Sequence, residues 1–262
     1  MRRIAIVNQK GGSGKTTTTV NLAAGVGERG RRVLVVDLDP QASASRWLGV
    51  RDGGKGLLDA FVGRGSIAEM ISTTSVPGVE VVASSEWLVG VDKALAGEVG
   101  AETVLRWQLG ALSPAGWDYV FVDCPPALGI LTINALAAAR EVLIPVEAHV
   151  MALSGLAQLL RTIEVVRERL NPGLEIAGIL ACRVDGRTRH GREVVEEIRG
   201  RFADITYNTI IRENVRIAEC PSFGQPIMQY DPRSAGAADY RALAGEVIQQ
   251  EGSLQPCPDG GR

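Results

Sequence analysis

Six short runs of this 262-residue chain are apolar at almost every position: "RIAIVNQ", "RRVLVVDLD", "VEVVAS", "DYVFVDC", "EVLIPVE" and "EIAGILACRV". A strand with one wet face alternates polar and apolar residues, so runs of this kind belong to a sheet covered on both sides. Helical patterns lie between most of them, one from Lys15 to about Glu28 and the clearest in "GLAQLLRTIEVVRERL". The alternation predicts an α/β fold, a mostly parallel twisted sheet with helices on both faces. Residues 49–78 are less regular and read as short helices. With 45% hydrophobic residues, the chain can fill one large core, and no Pro/Ser-rich linker, long charge run or repeat marks a boundary. A single domain over residues 1–251 is expected, with "GSLQPCPDGGR" as a flexible tail at 252–262.

In such a sheet, ligands sit beyond the carboxyl ends of the strands, so polar residues just past those ends carry the chemistry. After the first strand comes "QKGGSGKT". Gly11, Gly12 and Gly14 allow the backbone to curl its N–H groups inward, and the helix beginning near Lys15 adds the positive end of its dipole. This is a phosphate-cradling P-loop. Lys15 would reach the β- and γ-phosphates, the Thr16 hydroxyl would ligate Mg²⁺, and Ser13 and Thr17 complete the loop. The strict G-x-x-x-x-G-K-[ST] pattern is broken, because Gln9 stands where its first glycine belongs. Lys10 is a second lysine in the loop of a chain that has four lysines in all, Lys10, Lys15, Lys55 and Lys93, against 24 arginines.

Asp123 ends the strand "YVFVD" and is placed to hold Mg²⁺, usually through water. Asp39, ahead of Pro40 at the end of the second strand, is the candidate for holding the attacking water in line with the γ-phosphate, and it is counted with Thr16 and Asp123 around the metal. Asp37 reads as a support for the magnesium shell or a lysine. Either aspartate could also be a plain turn former.

Composition excludes several classes. Net charge is −2 and the isoelectric point is near 5.8, so any nucleic-acid surface must be local. Cys124, Cys182, Cys220 and Cys257 form no C-x-x-C pair, which argues against a zinc or iron–sulfur site within one chain. No signal peptide precedes the first apolar run and no stretch reaches the ~18 apolar residues of a membrane span. A cytoplasmic protein with reduced thiols is expected.

"KGGSGKTTTTVNLA", "VLVVDLDPQ", "VFVDCPPALGILTINAL", "NVRIAECPSFGQPI" and "YDPRSAGAADYRALA" resemble the ParA/Soj-type partition ATPases, from about residue 3 to residue 250. These belong to the deviant Walker A group of P-loop NTPases that includes the MinD division-site ATPases. The resemblance implies slow, Mg²⁺-dependent ATP hydrolysis, an ATP-bound homodimer and non-specific binding of double-stranded DNA in the nucleoid. It also implies a ParB/Spo0J-like centromere-binding partner that stimulates turnover. It gives Lys10 a task, reaching across the dimer to the partner's phosphates, so that Lys10, Lys15 and Asp39 are the catalytic set. The base-binding strip would run from Thr209 through Arg212 to Asn214. Here the chain departs from the family, which usually reads "IIPRNVR": Arg212 replaces the proline and Glu213 the arginine. Phe223 and Gln225 stand where His and Lys are common.

For DNA, "RVDGRTRHGR" carries Arg183, Arg187, Arg189 and Arg192 against Asp185 alone. Charge by itself fits a solvated loop equally well. Arg187 matches the family's "DART" motif and Arg216 its "NVR"; with Arg189 they form the expected DNA-binding set. Residues 86–112 could serve as a partner surface or as a cover for the sheet. Three rival readings stand beside this one. A MinD-type membrane ATPase needs a basic amphipathic C-terminal helix, which "GSLQPCPDGGR" is not. An electron-transfer ATPase needs cluster-bridging cysteines. A P-loop ligase or small-molecule kinase would have no use for Lys10.

Overall fold

The computed structural model describes residues 1–50, 54–148 and 152–253. Its strands are β1 (Arg2–Ile6), β2 (Val33–Asp37), β3 (Ile71–Thr73), β4 (Val79–Val82), β5 (Tyr119–Asp123), β6 (Glu141–Glu147) and β7 (Glu175–Cys182). They form one sheet in the order β3-β4-β2-β5-β1-β6-β7. Every pairing is parallel except β3 with β4, which is antiparallel at the edge. The six apolar runs therefore fold as expected. The seventh strand lies in the region read as short helices, where α3 and a 3₁₀ turn also occur.

The helices are α1 (Lys15–Gly27), α2 (Ser43–Trp47), α3 (Gly56–Phe61), α4 (Val91–Ala94), α5 (Val104–Gly110), α6 (Ile130–Ala138), α7 (Ala152–Arg169), α8 (Arg189–Arg201), α9 (Val215–Phe223), α10 (Ile227–Tyr230) and α11 (Ala235–Gln249). Alternate strand residues feed two cores. Ala5, Leu34, Val36, Val120 and Val122 pack with α3 to α8, whereas Ile4, Ile6, Val33, Val35, Tyr119 and Phe121 pack with α1, α2 and α9 to α11. Each face is dry, which is why the strands carry no polar alternation.

Residues 86–112 serve mainly as a cover. Leu88, Val91, Leu95, Leu105 and Leu109 are buried in the first core, while Trp87, Val89, Val99 and Trp107 are exposed. Among the described residues, no helix is long and apolar enough to cross a membrane. Cys124, Cys182 and Cys220 are free and buried. Cys257 and most of the expected tail lie outside the described residues.

Candidate nucleotide site

The carboxyl ends of β1, β2 and β5 are adjacent, and Asp37 is in register with Asp123. The glycine loop leaves β1 here and enters α1. Gly12 and Gly14 have φ of +74° and +91°, a region that side chains disfavour, and a Cβ on Gly11 or Gly12 would meet nothing within 4 Å. The loop backbone is thus open to a cavity of about 680 Å³. Gly11, Gly12, Gly14, Lys15, Thr16, Thr17 and Asp39 line one side of it. Arg212, Asn214, Ile211, Ile217 and Pro221 line the other.

The two lysines of the loop point to different partners. The Lys15 ammonium donates to the Lys10 carbonyl at 3.3 Å, so it curls back over the loop beside the cavity. Burial lowers its pKa, opposed by the charges of Asp123, Cys124 and Asp39. The Lys10 ammonium lies instead 2.8 Å from Glu147 at the end of β6, and Glu147 also binds Arg183 at 3.0 Å. Asn8 fixes this arrangement, since its side chain accepts from the Lys10 amide and donates to the Pro145 carbonyl. Lys10 is not among the residues that line the cavity.

Thr16 Oγ1 donates to Asp123 Oδ2 at 2.7 Å, and Thr19 Oγ1 to Asp123 Oδ1 at 3.0 Å. Asp123 is fully buried; burial first, and the adjacent Asp37 second, push its carboxyl up to about 8. Thr16 and Asp123 together offer the hard oxygen donors that a magnesium ion takes alongside phosphate and water. Among the described residues no group of three or more His, Cys, Asp or Glu could hold a metal alone. The Ser13 hydroxyl is buried in the loop without a hydrogen-bond partner.

Of the tasks expected for Asp37, the hydrogen bonds it makes are those of a turn former. Its Oδ1 accepts the Asp39 amide, and its Oδ2 accepts both the amide and the hydroxyl of Ser45. It is wholly buried, and burial raises its carboxyl to about 6 against the lowering effect of these bonds. Both oxygens are engaged in holding the turn that carries Asp39.

The base-binding strip comes together only in part. Arg212 and Asn214 line the cavity, but the Arg212 guanidinium is tied to Asp239, at 2.6 Å for the closest pair. Asn214 caps α9 by accepting the Arg216 amide. Thr209 is not among the lining residues; its amide donates to Glu246. Pro126, Cys182, Arg183, Ala218 and Tyr240 line the cavity without having been singled out for it. Of these, the cationic Arg183, in "RVDGRTRHGR", gave a hint in the sequence.

The candidate DNA arginines lie on the same edge, and each is paired. Arg187 binds Asp185, Arg189 binds Glu193, and Arg216 binds Glu219. Arg187 shares a groove of about 470 Å³ with Asp185, Arg212, Glu213 and Val215, which connects it to the strip beside the nucleotide cavity.

A loop of backbone amides between the first strand and first helix of a parallel sheet, with Lys15, Thr16 and Asp123 around it, defines a P-loop nucleotide-binding protein. A family described as "AAA domain" matches residues 1–176. The chain is 45% identical to the sporulation initiation inhibitor protein Soj of Bacillus subtilis over 246 residues, 93% of this chain and 97% of that protein. It is 43% identical to the chromosome partitioning protein ParA of Myxococcus xanthus, covering 97% of this chain and 90% of the relative. Among solved structures, the cobyrinic acid a,c-diamide synthase of Mycobacterium smegmatis with bound ADP and magnesium superposes with a TM-score of 0.84. That match has 32% identity and covers 100% of each chain. The chain belongs to the ParA/Soj family of chromosome-partitioning P-loop ATPases.

Proposed function

We propose that this chain is an ATP-dependent dimerising partition ATPase that binds double-stranded DNA non-specifically in its ATP state. With a ParB/Spo0J-like partner it segregates chromosome or plasmid DNA, and it lets go on hydrolysis. The observation that carries the dimer is the separation of the two lysines. Lys15 serves the chain's own loop, whereas Lys10 is held off the cavity by Glu147 and is spare for a second subunit.

Residues 1–251 act as one deviant Walker A ATPase domain in the cytoplasm, associated with the nucleoid. The loop amides of Gly11 to Thr17 and Lys15 hold the phosphates of ATP, with Arg212 and Asn214 at the base side. Thr16 and Asp123 hold Mg²⁺, with Asp39 beside them; the ion neutralises charge on the β- and γ-phosphates when bound. Asp39 orients the attacking water. Lys10 meets developing phosphate charge from across the dimer, where a compact ammonium fits a crowded loop better than a planar guanidinium. Arg187, Arg189 and Arg216 contact the DNA backbone weakly, and dimerisation doubles the patch.

The test is co-sedimentation of the pure protein with DNA and with liposomes, in the absence of nucleotide, with ADP and with ATP. Pelleting with DNA in ATP alone is expected. Pelleting with liposomes instead would replace this reading by a MinD-type one.

A further inference from the structure

Five hydrogen bonds close a ring around the Asp39 backbone. Asp37 Oδ1 accepts the Asp39 amide at 3.1 Å, and Asp37 Oδ2 accepts the Ser45 amide at 2.8 Å and its hydroxyl at 2.7 Å. The Ser45 hydroxyl accepts the Ser84 amide at 2.8 Å, and the Ser84 hydroxyl donates to the Asp39 carbonyl at 2.6 Å. The ring joins the end of β2, the short helix α2 and the residue two past the end of β4. Asp37, Ser45 and Ser84 are 0%, 1% and 2% exposed, so water does not compete for these bonds.

Asp39 itself is only half-buried and lines the cavity. The turn it begins has little else to fix it. The Asp39 carbonyl also accepts the Ala42 amide, and one carboxylate oxygen accepts the Gln41 amide. Ala42 then takes a left-handed φ of +50°, which an alanine adopts at a cost. A strained turn stays in place only when its surroundings over-determine it. The ring supplies that restraint, gripping Asp39 by its N–H and its C=O while leaving its side chain at the cavity.

We propose that Ser45 and Ser84 are positioning residues for hydrolysis, Ser45 acting through Asp37 and Ser84 through the Asp39 carbonyl to fix the backbone from which Asp39 addresses the attacking water. This rests on the water-positioning reading of Asp39. Neither serine lines the nucleotide cavity, so their loss should leave nucleotide affinity alone and slow the chemical step. A misplacement of about 1 Å at a catalytic group can cost roughly a hundredfold in rate. The two serines belong to one ring, so their effects should not add.

The experiment measures single-turnover hydrolysis of Mg–ATP by Ser45→Ala, Ser84→Ala, the double variant and Asp39→Ala, beside a titration with a slowly hydrolysed ATP analogue. Ile163→Val, in the core under α7, controls for lost stability alone. The serine variants should bind the analogue within about twofold of wild type yet hydrolyse roughly ten- to a hundredfold slower, on the same principle. The double variant should be no slower than the worse single one, and Ser84→Thr, which keeps the hydroxyl, should recover much of the rate. Asp39→Ala should bind and fail to turn over. Should Asp39→Ala be inert while both serine variants hydrolyse like wild type, the clamp is overturned and the role of Asp39 stands. Wild-type turnover by Asp39→Ala would overturn both. A rate loss matched by Ile163→Val at equal stability would reduce the ring to a purely structural device.

Discussion

Lys10→Ala separates a lysine that serves its own subunit from one that serves a neighbour. In the free chain the Lys10 ammonium pairs with Glu147, and the side chains are 42% and 21% exposed. A pair this wet contributes only about 0–1 kcal/mol, so giving it up on dimerisation costs little. A charge-assisted hydrogen bond to a partner's phosphate in a closed interface contributes about 1.5–3 kcal/mol. A two-fold dimer makes that contact twice. After the two Glu147 pairs are discounted, the substitution should weaken the ATP dimer by about 1–6 kcal/mol, roughly five- to 25,000-fold. Nucleotide binding by the monomer should change little, because Lys15 and the loop amides remain. Lys10→Arg should also dimerise poorly, since its planar guanidinium keeps the charge but not the compact shape. The assay is light scattering or gel filtration with a slowly hydrolysed ATP analogue, run beside a direct nucleotide titration. A Lys10→Ala protein that dimerises like wild type, or one whose monomer loses nucleotide affinity instead, would refute the reasoning.

Lys15→Ala should abolish ATP binding in the same titration, and near-normal affinity would remove the P-loop assignment. Arg187→Glu and Arg216→Glu should each weaken DNA binding while sparing the ATP dimer. Wild-type DNA affinity should fall steeply between low and moderate salt; binding indifferent to both substitutions would put the DNA surface elsewhere. The carboxyls of Asp37 and Asp123 are raised to about 6 and about 8, above the ordinary value near 3.9, so the stability they contribute is complete below pH ~4 and is lost as pH rises through each. The urea midpoint of the nucleotide-free protein should accordingly fall between pH 5 and pH 8.5, and Mg–nucleotide should restore it most at the upper end. A flat profile would mean that neighbouring groups already compensate both charges. Gly178→Ala would place a Cβ 2.4 Å from the ring of buried Tyr207. It should destabilise the fold by about 1–3 kcal/mol, read from thermal or urea melts, and an unchanged melt would show that Tyr207 can move aside.

What the sequence discloses and what it hides follow the range of the interactions involved. Two-sided burial writes itself into every residue of β2 and β5 and into the last three of β1, so those strands were legible. The strand β3 was not, because an antiparallel edge of three residues, two of them polar, carries no such pattern. The glycines, Lys15 and Thr16 were legible for a related reason: one continuous loop performs the task, and its spacing is local. Long-range pairing between polar groups is different. Lys10 and Glu147 are 137 residues apart, Arg212 and Asp239 are 27 apart, and Ser45 and Ser84 are 39 apart. The chain folds them together at strand ends, where no local pattern records the contact. This is why "DLD" could be read as two acids at a site but not as one acid holding the other. The same holds for Arg212, which the resemblance put in the base-binding strip. The carboxylate that claims it stands on α11, and Asp239 is 9% exposed on its side chain, so the pair is anchored from the protein side. A residue's type in a motif thus announces what it can bind, and only the assembled edge of the sheet shows which of those groups is already engaged.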